Sequence, residues 1–409
     1  MKTVIILGDG MSDSPVAALG GKTPLMVARK PHIDRIAREG VTGLFATIPE
    51  GMVNGSDVAN LSVLGYDPRI CLQGRGVLEA ASQGVELDPS DVAMRCNLLT
   101  LDGQGRIKNH SAGHISSQEA AVIIRDLDRE LGAATGDRPA VFYPGVSYRH
   151  LLVLPGGWAS PEVDCFPPHD YVGTLEVELL PRARTAAGAD TAARLLELHQ
   201  RAKALLANHP VNRARRKAGK DPANAIWVWS PGRRPQMEPL TTRFGITGAV
   251  ISAVDLIRGI GKYAGLDRIL VEGATGLSDT NYEGKAQAAL EALLNHDFVF
   301  VHVEATDEAG HAKDLDLKIK CIEYLDERLV RPILEGIRAK GWDATIAVLP
   351  DHPTPVETGN HGSDPVPVAL WRTGITPDAS TAFDEEQSAT GSLGLLKNDE
   401  FIREVFGVR

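Results

Sequence analysis

Three short apolar runs, each opening directly into a loop with an aspartate, constrain the fold of this chain more than any other feature. Thr3-Val4-Ile5-Ile6-Leu7 runs into Gly8-Asp9-Gly10, residues 298–303 lead to Asp307, and residues 345–349 lead to Asp351. A continuous apolar run of this length, bounded by turn residues, is the pattern of a strand buried on both faces of a parallel sheet. Helical spacing fills the gaps, at residues 24–39 (Leu25, Ala28, Ile33, Ile36 and Ala37, stopping at Gly40), 252–263, 282–294 and 314–338. Further strands are expected at 41–46, 268–271 and 367–371, and a helix over 56–64. This alternation predicts an α/β fold with a mostly parallel sheet sandwiched by helices.

The middle of the chain breaks the rhythm. Strand-like segments at 92–99, 141–143, 148–154 and 225–229 are separated by Pro- and Gly-rich turns and by helices at 117–131 and 191–208. At 409 residues the chain also exceeds the size at which a single core keeps growing. We therefore expect a discontinuous core domain, residues 1–75 and 241–409, interrupted by a smaller inserted α/β domain at 76–240.

Charge and cysteine usage narrow the function classes. A formal net charge of −10 argues against nucleic acid as a partner, because phosphate-backbone affinity needs a basic surface. The local exception is Arg213-Ala214-Arg215-Arg216-Lys217, either a solvated helix face or a patch for a small anion. Cys71, Cys96, Cys165 and Cys321 lie far apart with no CxxC pair, and read as reduced, mostly buried thiols. No apolar run approaches the roughly 20 residues that span a bilayer, and the N-terminus enters a strand rather than a signal segment. A cytoplasmic protein without a membrane partner is expected.

The acids at the strand ends come with imidazoles. Asp9 follows the first strand; Asp307 and His311, four apart on a helical turn, follow the second; Asp351 and His352 follow the third, with His361 in the loop beyond. Singly, each has an ordinary structural explanation: a turn cap, an exposed helix pair, a loop hydrogen bond. Together, three carboxylates and three imidazoles from one predicted sheet suit two divalent cations sharing a phosphate. In Asn54-Gly55-Ser56-Asp57, Ser56 stands where a helix starts. A serine there is either an N-cap or a hydroxyl placed where a helix terminus receives phosphate.

Several motifs carry a resemblance. Ile6-Leu7-Gly8-Asp9-Gly10, Gly55-Ser56-Asp57-Val58-Ala59-Asn60, Leu64-Gly65-Tyr66-Asp67-Pro68, Asp307-Glu308-Ala309-Gly310-His311 and Pro350-Asp351-His352-Pro353-Thr354-Pro355 resemble the archaeal-type, cofactor-independent phosphoglycerate mutases of the alkaline phosphatase superfamily. The likeness spans essentially the whole chain. It implies an alkaline-phosphatase-like core and two divalent ions, Mn²⁺, Mg²⁺ or similar. One ion would be held by Asp307, His311 and His361, the other by Asp9, Ser56, Asp351 and His352. It also implies a phosphoserine at Ser56 during exchange of 3- and 2-phosphoglycerate, with no 2,3-bisphosphoglycerate primer.

On the substrate side the resemblance is thinner. Candidate contacts to the small phosphoglycerate are Arg75, Arg149, Arg213, Arg216 and Lys262, since guanidinium groups read carboxylate and phosphate bidentately. His114, Asp164, His169 and Asp170 join them, with His114 and Asp170 as acid–base candidates. Asn109 stands where the family commonly has Asp, which moves that role toward His114. His32, His150, His199, His209, His296 and His302 are assigned to structure or surface. The ion ligands alone fit a metal-dependent phosphohydrolase of the same superfamily equally well, a phosphatase or phosphonate hydrolase in which water accepts the phosphoryl group. The sequence leaves homo-oligomerisation open.

Overall fold

The computed structural model describes residues 1–132 and 138–408. The strands, in chain order, are β1 (Lys2–Gly8), β2 (Val41–Phe45), β3 (Val92–Leu101), β4 (Ile107–Asn109), β5 (Val141–Tyr143), β6 (Arg149–Leu154), β7 (Val163–Asp164), β8 (Arg182–Ala183) and β9 (Ala225–Arg233). They continue with β10 (Gly248–Ile251), β11 (Asp267–Ile269), β12 (Phe298–Val303), β13 (Ala344–Leu349), β14 (Val366–Arg372) and β15 (Gly394–Leu396). The chain divides into two compact units, Met1–Leu72 with Gln236–Arg409, and Gln73–Pro235. Their seams fall at 72/73 and 235/236, where the sequence reading places them at 75/76 and 240/241. Contacts explain both shifts: a Cβ on Gly74 would meet Pro231 O at 2.6 Å, which ties 73–75 to the second unit, while Tyr66 Oη donates to Glu238 O at 2.7 Å and Leu240 N–H to Ala264 O at 2.8 Å, which ties 236–240 to the first.

The first unit is built on an eight-stranded sheet of order β11-β10-β12-β1-β13-β14-β2-β15. It is parallel except where β14 runs antiparallel to both β13 and β2. Along the central strands alternate residues face one helical layer: Val4, Ile6, Val299, Val301, Ile346 and Val348 join the helices at 282–339 in one buried cluster. The intervening residues, Ile5, Leu7, Phe298, Phe300, Ala347 and Leu349, are equally buried on the other face. A strand covered on both sides has no polar face, which is why these runs are continuously apolar.

Register sets the site. Leu7 pairs with His302 on β12 and with Leu349 on β13. Two residues further along the three adjacent strands stand Asp9, Glu304 and Asp351, level with one another beyond the sheet's carboxyl edge.

Two predicted helices are interrupted, each by proline. The expected helix at 24–39 is two, Pro24–Val27 and Pro31–Glu39, because Pro31 disfavours helical geometry at the residue before it. The expected helix at 314–338 runs Leu315–Tyr324, then through a π-helical stretch Leu325–Val330 to Arg331–Ala339. Pro332 lacks an N–H and crowds the carbonyl one turn earlier, and the wider π turn relieves that conflict. β10 and β15 are strands that the sequence reading missed; both are short.

The π turn places Asp326 under the helix Pro31–Glu39, where its Oδ1 accepts the N–H groups of His32 and Ile33 at 2.9 and 2.7 Å. Its Oδ2 is buried without a hydrogen-bond partner. Burial outweighs the two accepted bonds and pushes this carboxyl up to about 7. The folded state therefore holds the proton more tightly than the unfolded one. The group's contribution is fully present below roughly pH 4 and is lost as pH rises through 7. Asp326→Asn keeps an accepting oxygen and removes this loss. Between pH 5 and pH 8 the variant is expected to gain about 2 kcal/mol over the wild type. Urea midpoints at the two pH values measure it, and a pH-independent difference would refute it.

The second unit has its own core. β3 is flanked by β6 and β9, both antiparallel to it, with β4 and β5 at the margins. The helices Ser117–Leu131 and Ala189–Ala207 bury Ile123, Ile124, Leu127, Leu195 and Leu198 against one face. Helix Arg75–Gln83 packs Val77 and Ala80 against Ala93, Leu151 and Val153.

Candidate active site

At the carboxyl edge of the first unit, two sets of side chains gather so that each has the ligand atoms for one metal ion, and His302 with Glu304 makes a third group that shares Asp9 with one of them. Asp307, His311 and His361 form one; Asp9, Asp351 and His352 form the other, with ligand atoms within 4.8 Å of one another in each. The second set is fully buried. The sets are neighbours: the His352 and His361 rings stack with centroids 4.0 Å apart.

Hydrogen bonds fix how the imidazoles present themselves. His311 Nδ1 is 2.8 Å from Gly359 O, and His361 Nδ1 is 3.3 Å from Asn54 O. A carbonyl only accepts, so both Nδ1 atoms carry a hydrogen, and in the neutral rings both Nε2 atoms offer lone pairs. Yet those two Nε2 atoms are 2.9 Å apart, and His311 Nε2 lies 3.1 Å from Asp307 Oδ2. Two lone pairs and a carboxylate at this spacing repel unless a cation or proton lies among them.

The carboxylates tell the same story. Asp351 is anchored by Gly10 N–H and its neighbour's N–H on Oδ1, at 3.1 and 2.9 Å, and by Asn60 Nδ2 on Oδ2 at 2.9 Å. Asp9 Oδ2 accepts from His302 Nε2 at 2.9 Å, while its buried Oδ1 has no hydrogen-bond partner. Burial, then the charges of Asp351, Asp307 and Glu304, push the Asp9 carboxyl well above its ordinary range. Burial followed by Asp307 and Asp351 pushes Glu304 up to about 8. For Asp307, burial is outweighed by bonds from His311, His361 and Thr354, which hold it below the usual carboxylate range. Negative charge packed this closely fits divalent cations, which take mixed carboxylate and imidazole ligands.

Ser56 is not spent on the helix terminus. The N-cap of helix Ser56–Val63 is Gly55, extended at φ −174°, and Ser56 is the first helical residue. Its Oγ lies 3.1 Å from His352 Nε2, at the rim of the second set and partly open to solvent. Asn60, one turn on, bonds both Ser56 O and Asp351 Oδ2 at 2.9 Å, tying the helix that carries the hydroxyl to the carboxylate. Gly10, at φ +61°, admits no side chain: a Cβ would fall 2.6 Å from Asp307 Oδ1. A cleft of about 940 Å³ opens beside these sets, lined by Met52, Asn54, Tyr66, Arg69 and Lys397; the ion-set residues do not line it, but Asn54 bonds His361.

The sequence reading missed several members. His302 was assigned to structure or surface, but it is fully buried and bonded to Asp9. Its signal was visible: a single imidazole in an otherwise apolar buried strand. Thr354, Asn60 and Glu304 left no comparable mark. The other histidines in that assignment have structural partners. His199 bonds Glu176 and Ile226 O, His209 bonds Asp126, and His150 accepts from Gly145 N–H.

In the second unit, the His110 and His169 rings meet edge-on, with His169 against Trp229 and His110 against Tyr148. The Arg149 guanidinium lies 4.8 Å from the Tyr148 ring and that of Arg95 lies 4.2 Å from Trp229. Burial, then the charges of His169, His114 and Arg149, hold His110 below its ordinary pKa. Burial, with the charges of Arg75 and Arg149 and against the pull of its ion-pair partner Glu79, likewise holds Arg95 below its ordinary value, so these cations share one field. His114 is exposed, in left-handed backbone at φ +51°. Asp170 Oδ1 is 3.6 Å from His169 Nε2.

The remaining candidates stand apart from this patch. Asp164 pairs with Arg184 at 3.0 Å, and Arg213 bonds Asn208 O at 3.0 Å. Among the described contacts none joins Arg213 or Arg216 to the patch. From their helix, Arg215 turns inward to Glu119 and Ala112 O. Asn109 serves an Asx turn, with Oδ1 accepting from Ser111 N–H and Oγ at 2.9 Å. Lys262 belongs to the first unit, exposed near the end of helix Asp255–Tyr263.

Comparison with known proteins gives a consistent family. Residues 37–212 match the family described as 2,3-bisphosphoglycerate-independent phosphoglycerate mutase. A protein of that name from Methanosarcina barkeri is 51% identical over 98% of both chains. Among solved structures, a Pyrococcus horikoshii protein is similar with a TM-score of 0.81 at 30% identity, covering 99% of this chain and 97% of its own. The cofactor-independent phosphoglycerate mutase from Thermoplasma acidophilum is similar with a TM-score of 0.73 at 28% identity, covering 100% and 99%.

Proposed function

This chain belongs to the 2,3-bisphosphoglycerate-independent phosphoglycerate mutases, an isomerase family, and on that premise we propose that Ser56 carries the phosphoryl group between the two hydroxyl positions of glycerate. The observation that carries this reading is the Ser56 hydroxyl, left uncommitted by its helix and standing 3.1 Å from His352 Nε2 beside two sets of ion ligands. One ion would be held by Asp307, His311 and His361, the other by Asp9, Asp351, His352 and Ser56 itself. When bound, two divalent ions supply charge neutralisation on the phosphoryl oxygens and a lowered pKa for the Ser56 hydroxyl.

The residues of the chain do the rest. Ser56 Oγ attacks phosphorus in line; its bond to phosphorus forms as the bond to the 3-oxygen of glycerate breaks. Ser56 gives up its proton and the leaving oxygen gains one. The 2-hydroxyl of glycerate then attacks the phosphoserine by the reverse of these events, and Ser56 is regenerated. Ser56 opens the helix Ser56–Val63, and a helix N-terminus is a favourable place for anionic oxygen. Asn60 keeps Ser56 in line by bonding its carbonyl and Asp351 together.

For glycerate itself, we assign the cationic patch of the second unit. Arg75, Arg149, His114 and His169 would hold its carboxylate and hydroxyls, and Asp170 beside His169 would exchange the hydroxyl proton. Lys262 would contact the phosphate. The protein is read as a cytoplasmic enzyme of glycolysis and gluconeogenesis; no helix among the described residues is long and apolar enough to cross a membrane.

The test is product analysis. Protein supplied with Mn²⁺ and 3-phosphoglycerate is expected to form 2-phosphoglycerate with little free phosphate. Stoichiometric release of phosphate instead would make the protein a hydrolase and reject the mutase reading.

A further inference from the structure

Thr354 lies two residues beyond His352, its side chain buried between the two ion sets. Its Oγ1 is 2.5 Å from Asp307 Oδ1 and 3.2 Å from His352 Nδ1. An ionised carboxylate only accepts, so the single hydroxyl proton points to Asp307. Toward His352 the hydroxyl oxygen is then an acceptor, and the His352 hydrogen must sit on Nδ1. That leaves a bare lone pair on Nε2, the atom that faces Ser56 Oγ at 3.1 Å, Asp351 Oδ2 at 3.5 Å and Asp9 Oδ1 at 3.6 Å.

His352 differs here from its neighbours. His311 and His361 have their Nδ1 atoms held by main-chain carbonyls, which no side-chain motion alters. His352 relies on a hydroxyl, a group able to donate or accept. What forces that hydroxyl to accept is a carboxylate belonging to the other ion set. Thr354 O is itself bonded by buried Lys318 at 2.8 Å, which holds its backbone in place. One proton's direction therefore decides whether His352 offers the second set an electron pair or an N–H.

We propose that Thr354 is a positioning residue that fixes His352 in its Nδ1–H tautomer and so turns the Nε2 lone pair toward an ion held with Asp9 and Asp351. The inference rests on the ion-binding reading given above. Without the hydroxyl, nothing holds the hydrogen on Nδ1, and His352 is free to present an N–H where the ion needs an electron pair.

Calorimetric titration with Zn²⁺ tests this on the full chain, comparing wild type, Thr354→Val and Thr354→Ser. Valine keeps the shape and loses the hydroxyl; serine keeps the hydroxyl. Wild type is expected to take two Zn²⁺. Thr354→Val is expected to lose about 10–100-fold in zinc affinity at the set that contains His352, with Thr354→Ser close to wild type. Equal affinities for both ions in Thr354→Val and wild type would overturn the role given to Thr354. Should the valine variant fold poorly, ¹⁵N spectra of the unsubstituted protein before zinc is added decide independently: hydrogen on His352 Nδ1 supports the proposal, and hydrogen on Nε2 overturns it. A wild type that takes up no zinc would reject the ion sets themselves, a failure distinct from that of Thr354.

Discussion

Replacing Ser56 by alanine is expected to remove phosphoglycerate interconversion, by on the order of 10⁴-fold or more, while the protein still takes up its ions. Alanine is the better helix former, and the N-cap is Gly55, so the helix Ser56–Val63 keeps its start. The bond from Asn60 to position 56 goes to the main-chain oxygen and survives the change. Three side chains remain for each ion, since Ser56 adds only a hydroxyl at the rim of the second set. The loss should therefore fall on the chemical step. Two measurements check it: the rate of 2-phosphoglycerate formation, and trapping of a phosphorylated chain in the wild type that is absent from the variant. A variant interconverting within tenfold of wild type would mean that the group does not pass through Ser56.

Substituting Lys318 by methionine is expected to cost about 3–5 kcal/mol of folding stability. Lys318 is wholly buried, and its three hydrogens go to Asp13 Oδ2 at 2.8 Å, Thr354 O at 2.8 Å and Ser12 O at 3.1 Å. Asp13 Oδ2 also accepts from Val356 N–H at 3.2 Å. Burial pulls the Lys318 ammonium below its ordinary pKa, against the attraction of Asp13. Methionine fills the same space but leaves Asp13 as an uncompensated buried charge. The double variant Lys318→Met, Asp13→Asn should recover part of the loss, because the stranded charge is gone. Urea unfolding of the single and double variants measures both effects. Single and double variants with equal midpoints would show that the charge pair is not the source. The same ammonium joins the loop after β1 to the loop after β13, so the single variant should also bind Zn²⁺ more weakly.

How far the site was legible depended on how local each signal is. Asp9, Asp351 and His352 stood out only jointly: each alone has an ordinary structural explanation, but all follow strands of one predicted sheet. Asp307 and His311 stood out because a spacing of four on one helical turn brings two side chains to one point. Their division into two sets came only from the family resemblance, since nothing in spacing says which imidazole meets which carboxylate. His302 was passed over although its signal was present. A histidine facing inward from an apolar strand is as often a satisfied core residue as a partner of a carboxylate, and the sequence contains no pairing of β12 with β1. Asn60, Thr354 and Lys318 act through partners 291, 47 and 305 residues away and left no pattern at all.

By itself the sequence determined the alternation of strand and helix, the double burial of the central strands and the chemistry of their ends, because these follow from periodicity and composition over a few residues. Only the tertiary structure decided that Leu7, His302 and Leu349 stand level, which places Asp9, Glu304 and Asp351 at one height, and that each imidazole presents the nitrogen it does. Register and tautomer depend on hydrogen bonds between segments hundreds of residues apart. Such bonds exist only once the sheet has assembled.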